Sequence, residues 1–547
     1  MTKKAKKENL GFFRENIEAL TVAIVMALTV KMFAIEAYKV PTESMEPTIV
    51  GRRSGGDRLI VNKFVYQLRD PRRWEIVVFQ YPHNTLINYV KRAVGMPDEW
   101  VFIRNGDIYT ASGSLSREEA LAKAEIQRKP DFVQRSLFAR NLQIPPADRG
   151  VAAFDRYWTP VTGERGVGEV AALDDEDRVV FRAESGLTLV DFQRPETQRR
   201  REGRDGVAVL EPVINNRRFD DWSPFAEAPG FLGGLFGAPT EAVGRGPIPG
   251  YADEVGDMRV SCEVRPEAEK GEVVLEIRDG THGIPIRVHL AVEGSGRRSR
   301  LVFGEEEFAF DASIEAEEFT PVALANWDDT IAVEVDGDEV FRHRYTHAFV
   351  EPAQILVGGG ETVAPQSLTE WPPLQPTHDL PHDNGASLGF DGGRASFREL
   401  AVARDNYYTI TGPTDFRVPA DHYLMLGDNS PDSLDARGWK VTEIVYRDPD
   451  EGEITLRGDA EGVSAEETRP GGQPFRVEGD VAVAMPPLEG PTSGEALFID
   501  HFGNTRTLDL SRVVSQRTVY GHFVGRELVL GRAYLTFWPL LQWGAIR

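Results

Sequence analysis

One cysteine, Cys262, stands in a chain of 547 residues, which excludes an internal disulfide and any metal cage built from thiolates, whatever compartment the chain occupies. It reads as a small buried hydrophobe. Positive charge is short as well, since 62 Lys and Arg against 86 Asp and Glu leave a net charge of -24. That balance argues against a nucleic-acid partner, because phosphate binding needs a basic stripe. Metal templates are missing too: His378, Asp379 and His382 fall at a spacing that fits none and read as a solvated loop. No metal, no cofactor and no internal repeat are expected.

What is present is an ordinary globular composition, 41% hydrophobic, in a chain long enough to bury more than one core. The charge is uneven. Residues 1–100 hold 16 Lys/Arg and 11 Asp/Glu, and the remainder holds 46 and 75. An apolar run, Ala19 to Ile35, has 17 residues, which at about 1.5 Å each just reaches the lower limit for spanning a bilayer. Lys31 lies near its far end, where a long side chain snorkels to the headgroups. Lys3, Lys4, Lys6, Lys7 and Arg14 precede it, and the positive-inside rule leaves the N-terminus cytoplasmic. Ala34-Ile35-Glu36-Ala37 has the wrong spacing for a signal-peptide cleavage site. The expectation is an uncleaved single-pass anchor, with everything after it outside the cytoplasm.

Just beyond that run stands Ser44, and further on Lys91. A serine is a poor nucleophile until a base removes its proton. Lysine serves only when neutral, so its affinity for the proton must be depressed by burial; a shift of about 3 units costs about 4 kcal/mol. Leu86 to Gly95 is an apolar, β-branched run that reads as a strand. Alternation puts Lys91 and Arg92 on opposite faces, one toward a core and the other toward water. Taken singly, Lys91 reads as a solvated strand lysine and Ser44 as a turn cap.

Three segments occurring in order change that weighing: Val40-Pro41-Thr42-Glu43-Ser44-Met45-Glu46-Pro47-Thr48, Tyr89-Val90-Lys91-Arg92, and Gly427-Asp428-Asn429-Ser430-Pro431-Asp432-Ser433-Leu434-Asp435-Ala436-Arg437. Together they resemble bacterial type I signal peptidase. Asp57 to Lys63 and Gly531 to Pro539 look like that family too, and the combination is specific. The resemblance implies Ser44 as nucleophile and Lys91 as general base, with Thr42 and the Ser44 backbone N–H facing the oxyanion. It implies that Ser433 orients the lysine and that Asp435 and Arg437 pair to hold the Ser433 loop. Val40, Pro41, Tyr89 and Val90 would belong to the cleft walls near Ile35–Thr42 and Leu86–Val90. An exported preprotein would add its cleavage segment there as a strand. Its signal peptide, the membrane lipid and a secretion translocon are the implied partners. Departures at Ser430-Pro431-Asp432 and Pro97-Asp98-Glu99 touch loop geometry and no proposed catalytic group.

Between Tyr109 and Asp405 lie roughly 300 residues that a minimal enzyme of this kind does not need. Ser116 to Gln127 has helical spacing, and Phe132 to Phe138 leads into looser sequence. From about Arg217 to Arg404 short strands alternate with turns: Ile286 to Val292 alternates strictly, and Ile331 to Val335, Asp336-Gly337 and Val340-Phe341 read as a hairpin through a type I′ turn. Such a pattern indicates a two-sheet sandwich. Asn326 to Gly337 looks like the concanavalin-type jelly roll of laminin-G and glucanase-like domains. A spacer or substrate-docking module is favoured for it over a carbohydrate binder. Linkers fall at Pro229–Gly250, Trp371–Gly385 and Glu461–Gln473.

The expected fold is mainly β. A basic tail (1–18) and a transmembrane anchor (19–35) precede a catalytic part (36–110). A mixed insertion (111–216) and a lectin-like sandwich (217–404) follow. A second catalytic part (405–547) contains a small β insertion (441–518). The expected function is a membrane-anchored signal-peptide-removing serine endopeptidase. The alternative is an anchored extracytoplasmic binding protein that works through its sandwich and carries an inactive peptidase shell.

Overall fold

The computed structural model describes residues 16–26, 35–51, 56–104, 106–140, 142, 154–161, 169–173, 178–182, 186–192, 255–279, 284–346, 384–408, 413–430, 433–459, 475–478, 481–484, 494–538 and 544–546. Most of them form strands, so the mainly β expectation holds.

The sheet that carries the motifs begins with β1 (Ile35–Lys39), β2 (Arg58–Asn62), β3 (Ile76–Tyr81) and β4 (Asn84–Gly95). Its order is β1, β2, Val529–Trp538, β3, β4, His422–Leu426 and Phe523–Gly525, with Gly544–Ala545 paired to Val529–Trp538. Its ladders are antiparallel. The Ile, Val and Phe content of β3 suits a strand buried on both faces. One core lies on the side of Val77, Phe79 and Trp439, the other on the side of Val40, Met45, Ile76 and Val78. The strand His422–Leu426 covers β4 only from Arg92 to Gly95. On that side no strand among the described residues pairs with β4 from Leu86 to Lys91.

Two seven-stranded sheets enclose the largest core. One runs Asp338–Arg344, Thr330–Val335, Thr320–Trp327, Met258–Pro266, Arg394–Arg404, Arg178–Arg182, Glu169–Leu173; the other runs Glu306–Ala309, Arg300–Phe303, Ile284–Ala291, Glu272–Asp279, Gly385–Asp391, Leu187–Phe192, Trp158–Pro160. Val260, Leu324 and Phe397 of the first meet Leu275, Val288 and Leu388 of the second. Cys262 is buried there and free, as its lone occurrence implied. Asp336 and Gly337 both take positive φ, 52° and 82°, as the hairpin between Thr330–Val335 and Asp338–Arg344 requires. The sandwich also draws in strands between Trp158 and Phe192, from the 111–216 stretch that the sequence set apart. Those strands are too short for their own periodicity to reveal a shared core.

One local expectation changes, and one helix is added. The helix expected over Ser116–Gln127 runs only Arg117–Ala122, under a Ser116/Glu119 capping box, because Glu125–Ile126 joins the sheet beside Asp107–Ser112. Phe132 to Phe138, to which the sequence assigns no element and which leads into looser sequence, belongs to a ten-residue helix, Asp131–Arg140. Val133 and Leu137 enter the core of Trp74 and Trp439, and Phe138 packs on Ala325 and Trp327 of the sandwich. Each face is covered by a different body, so neither supplies a simple amphipathic pattern.

Residues 16–26 are helical, with Ile17, Leu20, Val22, Val25 and Met26 exposed. Among the described residues no helix is long and apolar enough to cross a membrane. Residues 27–34 of the expected anchor lie outside the described residues. So do His378, Asp379 and His382, and all or most of each expected linker.

Candidate active site

Residues 41–50 form a compact turn whose footing is apolar. Met45 and Ile49 are wholly buried beside Val40, and Val90 packs against the same cluster. Ile49 N–H donates to the Met45 carbonyl (2.9 Å) and Glu46 N–H to that of Glu43 (3.0 Å). Ser44 on this turn is buried, whereas Pro41 and Thr42 are exposed.

The segment from Gly427 closes over it. Asn429 N–H donates to the Ser44 carbonyl (3.1 Å), and Asn429 Nδ2 donates to the Glu43 carbonyl (3.0 Å). Gly427 is a close approach: a Cβ there would lie 2.1 Å from Ser433 Oγ and 2.5 Å from the Ser44 carbonyl oxygen. Any side chain would push apart the two segments that meet at the site.

Lys91 reaches the same place from β4. It is only 2% exposed, its Nζ donates to Ser433 Oγ (3.1 Å), and it lies 5.8 Å from the centre of the Tyr89 ring. Tyr89 stacks on Tyr81, which meets Trp439 edge to face, so the amine rests on an aromatic floor. Loss of water pushes the Lys91 amine down to about 8; Asp435 opposes this and Arg437 adds to it. Burial would raise the Asp435 carboxyl, but the Arg437 guanidinium holds it below its ordinary value. Arg437 grips Asp435 through Nε–Oδ1 (2.8 Å) and Nη2–Oδ2 (2.6 Å), and Asp435 Oδ2 accepts from Gly427 N–H (2.9 Å). Arg437 also bonds the Ser430 carbonyl (2.9 Å).

Alternation placed one of Lys91 and Arg92 in water, and the structure buries both. β4 lies inside the sheet at Arg92, with a core on either face, so neither side offers solvent. Arg92 forks onto Asp428, Nε–Oδ1 2.7 Å and Nη2–Oδ2 2.6 Å, and donates to the Trp74 carbonyl (2.8 Å). Thr48 Oγ1 donates to the same Asp428 (2.5 Å). Both residues lie inside the motif segments, and the sequence alone assigns them no task. The signal available was a carboxylate two residues before a serine-rich turn and a guanidinium beside the proposed base.

The Ser44 turn, β4 and the Gly427–Arg437 segment thus meet at one buried place. Residues 13–184 match the family described as signal peptidase, peptidase S26. The chain is 33% identical over 117 residues to the probable signal peptidase I-1 of Synechocystis sp., covering 20% of this chain and 58% of that protein. It is 34% identical over 125 residues to the signal peptidase I of Leptolyngbya laminosa, covering 22% and 57%. With the signal peptidase I T of Bacillus subtilis it shares 28% over 179 residues, covering 33% and 87%. The chain therefore spans little more than half the length of the first two relatives. Among solved structures it is similar to a Bacillus licheniformis beta-glucanase at 8% identity and a TM-score of 0.23, covering 46% of this chain and 92% of that one.

Proposed function

We propose that this protein is a membrane-anchored serine endopeptidase that removes signal peptides from exported preproteins, with Ser44 and Lys91 as its reacting pair. The observation that carries this reading is the buried Lys91 amine, pushed down to about 8 and held by Ser433 beside the Ser44 turn. A lysine so placed is neutral in a useful fraction of molecules near neutral pH, which a surface lysine is not.

Ser44 Oγ attacks the scissile carbonyl while its proton passes to Lys91 Nζ. The Ser44 N–H and the Thr42 hydroxyl receive the negative charge that develops on the carbonyl oxygen, a contribution of about 3 kcal/mol for each well-placed donor. The C–N bond then breaks, the ammonium returns its proton to the departing amine, and an ester joins the signal peptide to Ser44. Lys91 next deprotonates a water, which hydrolyses the ester and restores the hydroxyl. Ser433 fixes the amine, and the Asp435–Arg437 pair fixes the segment bearing Ser433.

The substrate enters as a strand between β1, whose outer edge is free of a partner strand among the described residues, and the open stretch of β4. Val40, Pro41, Tyr89 and Val90 are its proposed neighbours. The anchor of residues 19–35, with the N-terminus cytoplasmic and the catalytic body outside, would hold this cleft at the membrane face. The exposed apolar side chains of residues 16–26 fit a lipid environment.

Detergent-solubilised protein incubated with a preprotein bearing an Ala-x-Ala site tests the proposal. Cleavage is expected from wild type and almost none from Ser44→Ala or Lys91→Ala, since members of one catalytic unit act non-additively. Cleavage retained by either variant overturns it.

A further inference from the structure

Beyond the site itself, the small insertion sends a built turn to the open stretch of β4. Asp500 holds that turn: its Oδ1 accepts from the N–H groups of Phe502 (2.9 Å) and Asn504 (2.8 Å), and its Oδ2 accepts from Asn504 Nδ2 (3.1 Å). His501 N–H anchors it to the Arg457 carbonyl (2.9 Å). The turn then docks on β4, where Thr85 N–H donates to the His501 carbonyl (3.0 Å). Gly503, at φ 83°, lies so close to Leu86 that a Cβ there would sit 2.4 Å from Leu86 Cδ1.

This docking leaves a large apolar side chain in water on each of the two segments that meet here. Leu86 is 73% exposed and Phe502 is 62% exposed. A turn held by three hydrogen bonds to one carboxylate, and tipped with an exposed phenyl ring, presents an apolar surface to water. Leu86 stands four residues before Val90, in a bulge of β4 between Asn84 and Asn88, and its neighbour Ile87 packs on the Trp439 core while Leu86 faces water. It also stands five residues, at most about 17 Å of chain, from Lys91.

We propose that Phe502 and Leu86 form an apolar contact for the signal segment of the substrate, about five residues before the scissile bond. The inference rests on the proteolytic reading above. A substrate strand laid along β4 from Lys91 brings its next residues to Leu86. In a signal peptide the apolar core precedes the small-residue cleavage site, so an apolar side chain arrives there from the end of that core. The insertion thus lengthens the cleft and makes cleavage depend on a side chain beyond the small residues beside the scissile bond.

Three peptides test this with the full-length protein: a short one beginning four residues before the scissile bond, and two extended ones with Leu or Ser at the fifth residue before it. Wild type is expected to cleave the Leu peptide with a kcat/KM about tenfold above that of the Ser peptide, the gain lying in KM. Phe502→Ser is expected to bring that ratio near one, and Phe502→Leu to keep most of it. Both variants should cleave the short peptide as wild type does. A ratio that survives in Phe502→Ser, or no discrimination in wild type despite cleavage of the short peptide, overturns this inference alone. Failure of wild type to cleave even the short peptide removes the proteolytic reading and this inference with it.

Discussion

Because Lys91 lies among Tyr89, Ser433 and the Asp435–Arg437 pair with almost no solvent, its amine titrates at about 8 instead of 10.5. If the neutral amine is the base, kcat/KM rises with pH through about 8 and levels off above it. A profile already flat at pH 6, measured with a short peptide, would remove lysine from the role. The same shift acts on stability with a definite sign. Between about 8 and 10.5 the unfolded chain holds a proton that the folded chain has released, so stability grows as pH rises through that window. Below it both states are protonated and the fold bears the whole penalty of a buried ammonium, up to about 3 kcal/mol. Lys91→Met keeps the length of the side chain and removes the charge. It is expected to abolish turnover while raising the thermal midpoint at pH 7 by a few degrees, with the gain fading by pH 11, followed by scanning calorimetry.

At the scale of elements, the Arg92–Asp428 pair joins β4 to the segment that clasps the Ser44 turn, and both side chains are fully buried. Removing one partner leaves the other charged and dry. Asp428→Asn is expected to lose about 3–5 kcal/mol in denaturant unfolding and to slow cleavage, because Asn429 next to it holds the Ser44 carbonyl. A double variant, Arg92→Met with Asp428→Leu, should recover much of the stability and little of the activity, and additive losses in that cycle would deny the coupling. The candidate residues were legible in the sequence because they sit in short contiguous motifs. The burial of Arg92 was not, because a period of two assigns faces only where one side of a sheet is wet. The Asp336–Gly337 hairpin was legible for a similar reason, since its turn chemistry is local. Helix Asp131–Arg140 was not, because its contacts come from segments far along the chain on both sides. The Asp500 turn escaped as well, since nothing near residue 500 announces that it docks on residue 85.

For the whole molecule, the sandwich is pinned by contacts to the body that carries the candidate site. Lys129, just before helix Asp131–Arg140, donates to Asp328 at the end of a sandwich hairpin (2.6 Å) and to Asp405 where the chain returns (2.7 Å). It also lies 5.4 Å from the centre of the Trp74 ring in the other body. Around it the carboxylates are crowded: carboxylate oxygens of Asp107, Asp257 and Asp328 come within 4.8 Å of one another. Burial raises the Asp107 carboxyl well above its ordinary value, and Asp257 and Asp328 raise it further. A carboxyl raised on folding binds its proton more tightly in the native state, so its contribution to stability is lost as pH climbs from the ordinary range toward the native value. Two substitutions at this junction should therefore move stability in opposite directions. Lys129→Met takes a cation from a buried anionic cluster and is expected to lower the thermal midpoint sharply and to divide one calorimetric transition into two as the bodies uncouple. Asp107→Asn relieves the crowding and is expected to raise the midpoint at pH 7, with the gain shrinking as pH falls into the ordinary carboxyl range, where folded and unfolded chains are both protonated. A loss of stability in Asp107→Asn at pH 7 would mean that the carboxylate is compensated there and that the junction is not held under charge repulsion.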